Sequence, residues 1–554
     1  MHLKLFKNIL SVFLLSTITF LTFSSALQND FVNYDDAKYI ANNPVIKALA
    51  WPNIQQMFSN VFFQPLHYLP LTLLSWTIEY HFVKLTPHVY IFNNIILHTA
   101  NTLLIFWLVS QLTQKIRIAF LAALLFGIHP LRVESVVWIT ERKDVLYSFF
   151  YLLGLNAYTK WIFQNRKGWA LFFITHIFFI LSCLSKPMAV SFPLALLTLD
   201  FLNYGKIRLK DISEKIFLFG LAAIFGSIAI FQNPMTYKSG FQIYTLWDRS
   251  IVSVNSCWFY LSKIFWPINL SCFYPLPQKI NDYLPSNFYI VTLISFLFFP
   301  LMILIKKTHR LVQWGLLFYC STIFFILGLF SFTYFIAERY TYIPSIGIAI
   351  ICAWGINQLI DKTQIFFSRC FLVVIVISTL LTLSMISFKR AKVWHDGISL
   401  WTNVLKQFPK AENAHSNLGN AYWKIENYRA ALKEYSDTIA LNPQAGATLS
   451  NRGAVYIQLG EYNLALQDFN KAIEINPSDD QAFNNRGGLF YNTGHFILAI
   501  QDFDRSIQLN PGQVPAYVNR SKAYKQLGND KKAQEDDNQA FKINPDFWKY
   551  KPQF

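Results

Sequence analysis

Five prolines in the last third of the chain stand 34 residues apart, and this period constrains the fold more than any other feature. They are Pro409, Pro443, Pro477, Pro511 and Pro545. Small residues keep the same step, namely Gly419, Gly453, Gly487 and Ser521, and also Ala431, Ala465, Ala499 and Ala533. Small residues let two helices approach closely, and a proline ends the second helix of a pair. Residues 411–545 are therefore predicted to form four stacked helical hairpins, an α-solenoid with a concave binding surface.

The length of the period identifies the type of repeat. A 34-residue helix–turn–helix unit is the tetratricopeptide pattern. The segment GISLWTNVLKQFP indicates a connector and partial repeat over 389–410, and residues 546–554 form a C-terminal tail. Four asparagines recur at the same step, at Asn417, Asn451, Asn485 and Asn519. A line of amides can pair with an extended peptide backbone, because each carries a donor and an acceptor. The alternative is that each amide hydrogen-bonds within its own repeat and helps the repeats to stack.

Residues 1–388 have a different character, since the whole chain is 53% hydrophobic and only 14% charged and most of its apolar runs lie here. Runs long enough for membrane spans begin with 5–27 and continue to 366–387. The segment 65–83 is interrupted by polar residues and is predicted to lie along the membrane surface or to be only partly inserted. About eleven crossings are expected if the proline-flanked segment 250–266 does not cross. The fold is thus predicted to be all-α, a polytopic transmembrane domain followed by the solenoid.

The charge distribution gives the sidedness and argues against nucleic acid as a partner. Residues 389–554 hold 20 Lys/Arg and 17 Asp/Glu, so most of the net charge of +17 lies in the apolar part. Basic loops of membrane proteins usually face the cytoplasm. With eleven crossings, the first loop (28–88) and the repeats lie on the non-cytoplasmic side. The basic stretch 388–392 disagrees with this orientation.

Ionisable residues collect at the ends of spans on the predicted outer side. The first group is the pair Asp35 and Asp36. The second is the stretch HPLRVESVVWITERKD (129–144), with His129, Arg132, Glu134, Glu141, Arg142, Lys143 and Asp144. Lys186, Glu338 and Arg339 complete the set. Such residues are costly near a bilayer and tend to be functional. Simpler explanations remain open: helix capping by Asp35, a helix stop at His129, pairing of Arg142 and Arg339 with neighbouring carboxylates or membrane lipid headgroups, and a snorkelling Lys186.

Together these groups match the needs of sugar transfer from a lipid phosphate. A carboxylate can deprotonate an acceptor hydroxyl as general base, and Asp35 or Asp36 is the candidate. Arg142, Lys186 and Arg339 are cations that can hold a phosphate leaving group. His129, Glu134, Asp144 and Glu338 are predicted to support them. No His/Asp spacing demands a metal, and a divalent cation is left open.

The order of these motifs resembles a known family. FVNYDDAKYIANNP, HPLRVESVVWITERKD, LSKP and AERYTYIPSIG, followed by the repeats, are similar to the transmembrane and tetratricopeptide-repeat O-mannosyltransferases and their bacterial relatives. That family belongs to the GT-C class of polytopic glycosyltransferases. The resemblance implies an inverting transferase, a polyprenyl- or dolichyl-phosphate sugar as donor, and a protein Ser/Thr hydroxyl as acceptor. It also implies an acidic base in the first outer loop, here Asp35 or Asp36, with roles for the matching residues of the later motifs.

The compartment and two alternative functions follow from smaller observations. Glycosylation sequons occur at Asn269 and Asn519. In an ER lumen a glycan at Asn519 would disturb a packed repeat. We therefore expect a multi-pass protein of a bacterial cytoplasmic membrane, with repeats outside; in a eukaryote the repeats would be luminal in the ER. One alternative function is a non-catalytic anchor that presents the repeats for envelope assembly. Another is a transporter, although these spans hold few mid-span charges.

Overall fold

The computed structural model describes residues 2–59, 67–232, 244–304, 309–329 and 336–544, with the side chains of 2–4 and 297–304 left aside. Over these residues the protein is helical and contains no β-strand, as the sequence predicts. The chain divides into two compact units, residues 1–400 and 401–554. The predicted tail 546–554, and Pro545 before it, lie outside the described residues.

The first unit contains sixteen α-helices within the described ranges. In chain order, α1 to α8 are His2–Phe23, Trp51–Ser59, Pro70–Val83, Pro87–Thr113, Ile116–Gly127, Val133–Val137, Arg142–Phe163 and Trp169–Ser185. Helices α9 to α16 are Phe192–Tyr204, Leu209–Ser213, Ile216–Phe231, Leu246–Phe265, Ser286–Leu304, Arg310–Ile323, Ser345–Lys362 and Phe366–Ala391.

Three of the described helical segments are long and apolar enough to cross a membrane: Leu5–Gln28, Pro87–Thr113 and Phe366–Trp394. A fourth is possible if Ile116–Gly127 and Pro130–Val137, which meet at 56°, form one broken span. Shorter apolar helices, such as α8 and α11, fall below that length. The eleven predicted crossings therefore stay a prediction, as does the peripheral position of 250–266.

Close helix contacts hold the first unit together. Helices α14 and α15 touch through backbone at Gly315 and Gly347, where an added Cβ on Gly347 would lie 2.2 Å from the Gly315 carbonyl oxygen. Helix α4 runs through the interior, and its His98 pairs with Tyr342 Oη at 2.6 Å. These contacts bring the ends of α4, α6, α7 and α15 to one polar region.

The second unit is the predicted solenoid. Helix α17 (Gly397–Gln407) contains the division between the units. Helices α18 to α25 follow: Glu412–Lys424, Tyr428–Leu441, Gly446–Gln458, Tyr462–Ile475, Asp480–Asn492, Phe496–Leu509, Val514–Gln526 and Asp530–Ile543. Glycines at the 34-residue step sit against aromatic rings: a Cβ on Gly453 would lie 2.7 Å from Phe469, and one on Gly487 the same distance from Phe503. The small residues are therefore required by the pairing of the two helices.

Candidate functional site

The two adjacent aspartates of the first loop have different environments. Asp36 is 1% exposed. Its Oδ2 accepts a hydrogen bond from the Val32 amide at 2.9 Å, and its Oδ1 accepts from the Thr140 amide at 3.1 Å and from the Thr140 hydroxyl. Burial raises the pKa of Asp36 to about 6, although these three donors oppose the shift. Both oxygens of Asp36 are thus engaged in fastening the loop to the segment before α7.

Asp35 is partly exposed, and its carboxylate forms no hydrogen bond or ion pair with the described residues. The pKa of the Lys143 ammonium is raised against the effect of its burial, first by Glu141 and then by Asp35. The neighbouring Tyr34 ring stacks on Trp138 at 4.8 Å between centroids, and Trp394 lies on Trp138 at 5.3 Å. The loop is therefore fixed by Asp36 and by this stack, while the Asp35 carboxylate stays available.

A cluster of buried ions lies beside the loop, and its members share partners. Lys186 Nζ lies 3.1 Å from Glu141 and 2.5 Å from Asp144. Lys143 Nζ lies 3.1 Å from Glu141, and Arg339 Nε lies 3.4 Å from the same carboxylate. We call Lys143, Lys186 and Arg339 the cation triad. Glu141 is the carboxylate that all three contact.

The triad holds Glu141, the carboxylate that all three cations contact, in its ionised form. Burial by itself would raise the pKa of Glu141, but Lys143, Lys186 and Arg339 together hold that pKa below its usual range. Glu134 pairs with the Arg339 guanidinium and accepts from the Arg339 amide at 3.0 Å. The Arg339 guanidinium also lies over the Trp138 ring at 5.5 Å. The three cations retain 6–8% exposure, so they are nearly desolvated and strengthen any anion contact.

Arg142 is not part of this cluster. Its Nη1 lies 2.8 Å from Glu79, its Nη2 donates to the Tyr90 carbonyl at 2.8 Å, and its Nε donates to Asn94. These partners lie on α3 and α4 and occupy the whole guanidinium fork. The structure thus separates Arg142 from Lys186 and Arg339, the two other cations that the sequence grouped with it.

The remaining predicted residues hold the surrounding backbone. His129 Nδ1 accepts from the Leu131 amide at 3.2 Å, and its Nε2 contacts the Ile264 carbonyl at 2.9 Å. Glu338 accepts from the Ser271 amide at 2.6 Å and pairs with Arg390 at 3.1 Å. These contacts place both residues at turns around the cluster.

Arg132 adds a further buried positive charge. Its Nη2 donates to Thr341 at 2.6 Å, and its guanidinium lies over the Phe126 and Tyr342 rings at 5.1 and 5.2 Å. Its Nε and Nη1 have no hydrogen-bond partner in the part of the chain that the structure describes. This charge contributes positive potential on the side of the cluster that faces α15.

Three residues of the site were not singled out from the sequence. Lys143 and Glu141 were grouped with the motif at 129–144 but not given a role. His67, in the segment read as peripheral, lies near Lys143 and Lys186, and burial followed by these cations lowers its pKa to about 4. A neutral imidazole beside two ammonium groups can accept a hydrogen bond near pH 7. The signal that could have found it is its place in a polar break of the first outer loop.

Three of the four predicted asparagines line one groove of the repeats, and Asn417 is not among its lining residues. The groove encloses about 310 Å³ and is lined by amides and aromatic rings, among them Asn451, Asn485 and Asn519. Their amide nitrogens donate to the preceding repeat: Asn451 to Asn420 at 3.1 Å, Asn485 to Ser450 at 3.1 Å, and Asn519 to Asn484 at 3.2 Å. Asn417, before the first full repeat interface, donates to the Asn413 carbonyl instead. The amides therefore join neighbouring repeats, which differs from the bonding within each repeat weighed from the sequence.

Comparison with known proteins matches both parts of the chain. Tetratricopeptide repeat models match residues 394–446, 447–479 and 514–547, which confirms the predicted repeats. The chain is similar to protein O-mannosyl-transferase F38B6.6 of Caenorhabditis elegans, with 28% identity over 79% of this chain and 63% of that protein. It is 25% identical to protein O-mannosyl-transferase TMTC1 of Homo sapiens over 76% of this chain and 55% of that one.

A third relative extends the same result. Protein O-mannosyl-transferase TMTC4 of Homo sapiens is 23% identical over 76% of this chain and 64% of its own length. The predicted resemblance is thus confirmed at the level of sequence similarity. The chain spans less than two thirds of the length of these relatives.

Solved structures match over the repeats. They include the crystal structure of MamA, with 22% identity, a TM-score of 0.24 and coverage of 28% of this chain and 86% of that one. YrrB, described as a TPR protein with an unusual peptide-binding site, is also 22% identical, with a TM-score of 0.24 and coverage of 35% and 94%.

Proposed function

We propose that the protein is a membrane glycosyltransferase that moves a sugar from a polyprenyl- or dolichyl-phosphate donor to a protein hydroxyl. The observation that carries this proposal is the open Asp35 carboxylate beside the triad of Lys143, Lys186 and Arg339. The similarity to protein O-mannosyl-transferases over most of the chain supports it. We take mannose as the sugar and Ser or Thr as the acceptor, following the names of those relatives.

The chemistry assigned to the site is a single displacement. Asp35 accepts the proton of the acceptor hydroxyl, and the oxygen attacks the anomeric carbon of the sugar. The bond between that carbon and the phosphate oxygen breaks, and the electron pair leaves with the lipid phosphate. The cation triad stabilises the negative charge that develops on this leaving group. One displacement inverts the anomeric configuration.

Asp35 is the proposed base because its neighbour has another task. Asp36 already accepts three hydrogen bonds, which fasten the loop, whereas Asp35 has none from the described residues. Lys186 and Arg339 keep the role predicted for them, which is to bind the phosphate of the sugar donor. Lys143 takes this role in place of Arg142. Arg142 instead positions α3 and α4 behind the cluster. Glu134, Glu141 and Asp144 orient the cations and balance their charge until the donor phosphate arrives.

The test is the variant Asp35→Asn, which keeps the shape and removes the basicity. Transfer of mannose from a lipid-phosphate donor to a Ser/Thr peptide should fall about 10²- to 10⁴-fold, while the melting temperature and donor binding remain unchanged. The control is Asp30→Asn, an exposed carboxylate of the same loop, which removes an equal charge. Full activity of the Asp35 variant would reject the base assignment, and absence of any transferase activity in the wild type would favour a non-catalytic scaffold.

The orientation of the membrane unit is also a proposal. We place residues 28–88 and the repeats on the non-cytoplasmic side of the membrane, because the basic loops then face the cytoplasm. Single cysteines at Asn42 and Gln526, both exposed, in a background lacking the six native cysteines should label from outside in intact cells. The buried Asn43 would be a poor labelling position. Labelling at only one of the two positions would mean that the number of crossings between them is odd.

We assign acceptor binding to the groove of the repeats. The amide nitrogens of Asn451 and Asn519 are used between repeats, but their oxygens accept no hydrogen bond from the described residues and remain open to a peptide N–H. Converting Asn417, Asn451, Asn485 and Asn519 to Ala should weaken use of a long acceptor while donor binding is unchanged. Each hydrogen bond contributes about 0.5–1.5 kcal/mol, so a single substitution has a small effect. A folded quadruple variant with normal acceptor use would remove the groove from the mechanism.

A further inference from the structure

The first repeat breaks a pattern of ion pairs that the other three keep. In those repeats an arginine of the first helix forms a two-pronged pair with an aspartate of the second helix. The pairs are Arg452 with Asp468, Arg486 with Asp502, and Arg520 with Asp536. In the first repeat Leu418 takes the arginine position and Glu434 the aspartate position. Glu434 is therefore a largely buried carboxylate that lacks the guanidinium its counterparts have.

Two other positions of this repeat also change character. His415 replaces the apolar residues Leu449, Phe483 and Tyr517, and Asp437 stands where the next two repeats carry Lys471 and Arg505. The first repeat thus loses two cations and gains an imidazole and a carboxylate. His415, Glu434 and Asp437 each offer a ligand atom, and the three atoms lie within 4.8 Å of one another.

The contacts of His415 show that a proton or a cation is missing between His415 and Glu434. Its Nε2 lies 3.0 Å from the Pro409 carbonyl oxygen, and its Nδ1 lies 2.7 Å from Glu434 Oε2. A carbonyl and a carboxylate only accept, so both nitrogens face acceptors, whereas a neutral imidazole carries one proton. With Nε2–H donating to Pro409, the lone pair of Nδ1 points at a carboxylate. This arrangement needs either a second proton or a metal cation.

The positions of His415, Glu434 and Asp437 favour a metal site over an ion pair between His415 and Glu434. A metal-bound histidine commonly donates its other ring N–H to a carbonyl, as His415 does to Pro409. An ion pair would not need Asp437, which forms no hydrogen bond or ion pair with the described residues. Lys433 offers a competing positive charge, but its Nζ is 3.8 Å from Glu434 and its side chain is 75% exposed.

We propose that the first repeat binds a divalent transition-metal cation, with Zn²⁺ as the best match, through His415 Nδ1 and the carboxylates of Glu434 and Asp437. One imidazole and two carboxylates suit zinc better than calcium or magnesium, which prefer oxygen ligands alone. Three protein ligands leave one position for water in a tetrahedral site. Because the ligands come from α18 and α19, the ion would clamp the helical hairpin that lacks the arginine pair.

The experiment uses the full-length protein in detergent, stripped with a chelator and titrated with ZnCl₂ at pH 7.5. We expect one additional tightly bound Zn²⁺ per chain relative to the variants, measured by elemental analysis after gel filtration. Co²⁺ in its place should give the visible absorption of a four-coordinate site. Asp437→Asn removes one ligand and leaves the contact between His415 and Glu434, so it should lower zinc affinity at least tenfold.

Two further variants make the test decisive. His415→Leu installs the residue of the second repeat and should abolish binding, and Glu461→Gln, at an exposed carboxylate elsewhere in the array, should change nothing. If His415→Leu does not fold, Asp437→Asn still decides, because Asp437 is only partly buried and unpaired. Equal zinc binding by wild type and Asp437→Asn would overturn the proposal. So would absence of zinc binding by the wild type, which would make His415 a doubly protonated partner of Glu434.

Discussion

The two units of the protein handle buried charge in opposite ways. In the repeats Arg452, Arg486 and Arg520 each form a two-pronged pair with one aspartate, as Arg486 does with Asp502 at 2.8 Å for both bonds, and Arg520 also contacts Asp504. In the first unit, Glu141 is shared by three cations and Lys186 by two carboxylates. A closed pair has no capacity left for a ligand. In a shared cluster, a cation can exchange one carboxylate partner for a phosphate. The closed pairs therefore suit a structural role, and the shared cluster suits a reaction.

The largest stability effect should come from removing a shared cation. Lys186→Gln leaves Glu141 and Asp144 with fewer partners in a nearly dry environment. Loss of one member of a buried pair costs about 3–5 kcal/mol. We expect a clear drop in melting temperature in detergent together with loss of transfer activity. Lys471→Gln, which breaks an exposed pair with Glu474, is the control and should cost less than about 1 kcal/mol. Equal drops in melting temperature for Lys186→Gln and Lys471→Gln would contradict the proposed difference between the units.

A second effect concerns the pH dependence of the first unit. Because the pKa of Asp36 is raised to about 6, the folded protein binds this proton more tightly than the unfolded chain does. The stability from this group is complete below about pH 4 and is lost as pH rises through 6, with a change on the order of 3 kcal/mol.

The variant Asp36→Asn tests this dependence. It should be less stable at pH 5, because the amide cannot accept from Val32 and Thr140 together, but its stability should vary less between pH 4 and 7. Melting curves across that range measure the slope, with Asp30→Asn as control. A slope equal to that of the wild type would contradict the role of Asp36.

The packing of the repeats gives a third, smaller effect. Gly487→Ala places a methyl group 2.7 Å from the Phe503 ring, and overpacking of this kind costs about 1–3 kcal/mol. The next residue is a matched control, since a Cβ on Gly488 meets nothing within 4 Å. Gly488→Ala should stabilise the helix by roughly 0.5–1 kcal/mol. Opposite shifts at adjacent glycines, seen in melting curves, would confirm the helix pairing; equal shifts would contradict it.

The smallest effect is expected for a closed pair of the array. Arg486→Gln removes the two-pronged bond to Asp502, which is itself buried, but the Arg486 side chain is 21% exposed, so water can reach the carboxylate where the guanidinium stood. We expect a loss of about 1 kcal/mol and no change in transfer activity. Denaturant unfolding and the activity assay measure the two. A loss as large as that of Lys186→Gln would show that closed pairs matter as much as shared ones.

The same contrast explains which features the sequence revealed. The repeats were predictable because their contacts recur at 34 residues, so a pairing like that of Gly453 with Phe469 occurs three times in one chain. The helical class also followed from the apolar runs. The number of crossings did not, since length and apolarity qualify only three or four of the described helices.

Details of the candidate site depend on single residues and could not be predicted. Asp35 and Asp36 are adjacent in the sequence, yet one is bound by Thr140 and the other is open. Arg142 and Lys143 are also adjacent, but one helical step turns a side chain by about 100°. That rotation sends Arg142 to α3 and α4 and Lys143 to Glu141. No periodic pattern in the sequence indicates which partner each of two adjacent residues contacts.

Because the arginine–aspartate pairs lie inside single repeats, they also affect how such proteins can vary in length. Arg452, Arg486 and Arg520 each form a two-pronged pair inside one hairpin, and the other hydrogen bonds described for these arginines and for the groove asparagines reach no farther than the adjacent repeat. Insertion or deletion of a whole 34-residue unit therefore leaves no orphaned partner behind. The array can change its valency in integer steps, adding one amide to the groove each time, without any compensating change in the membrane unit.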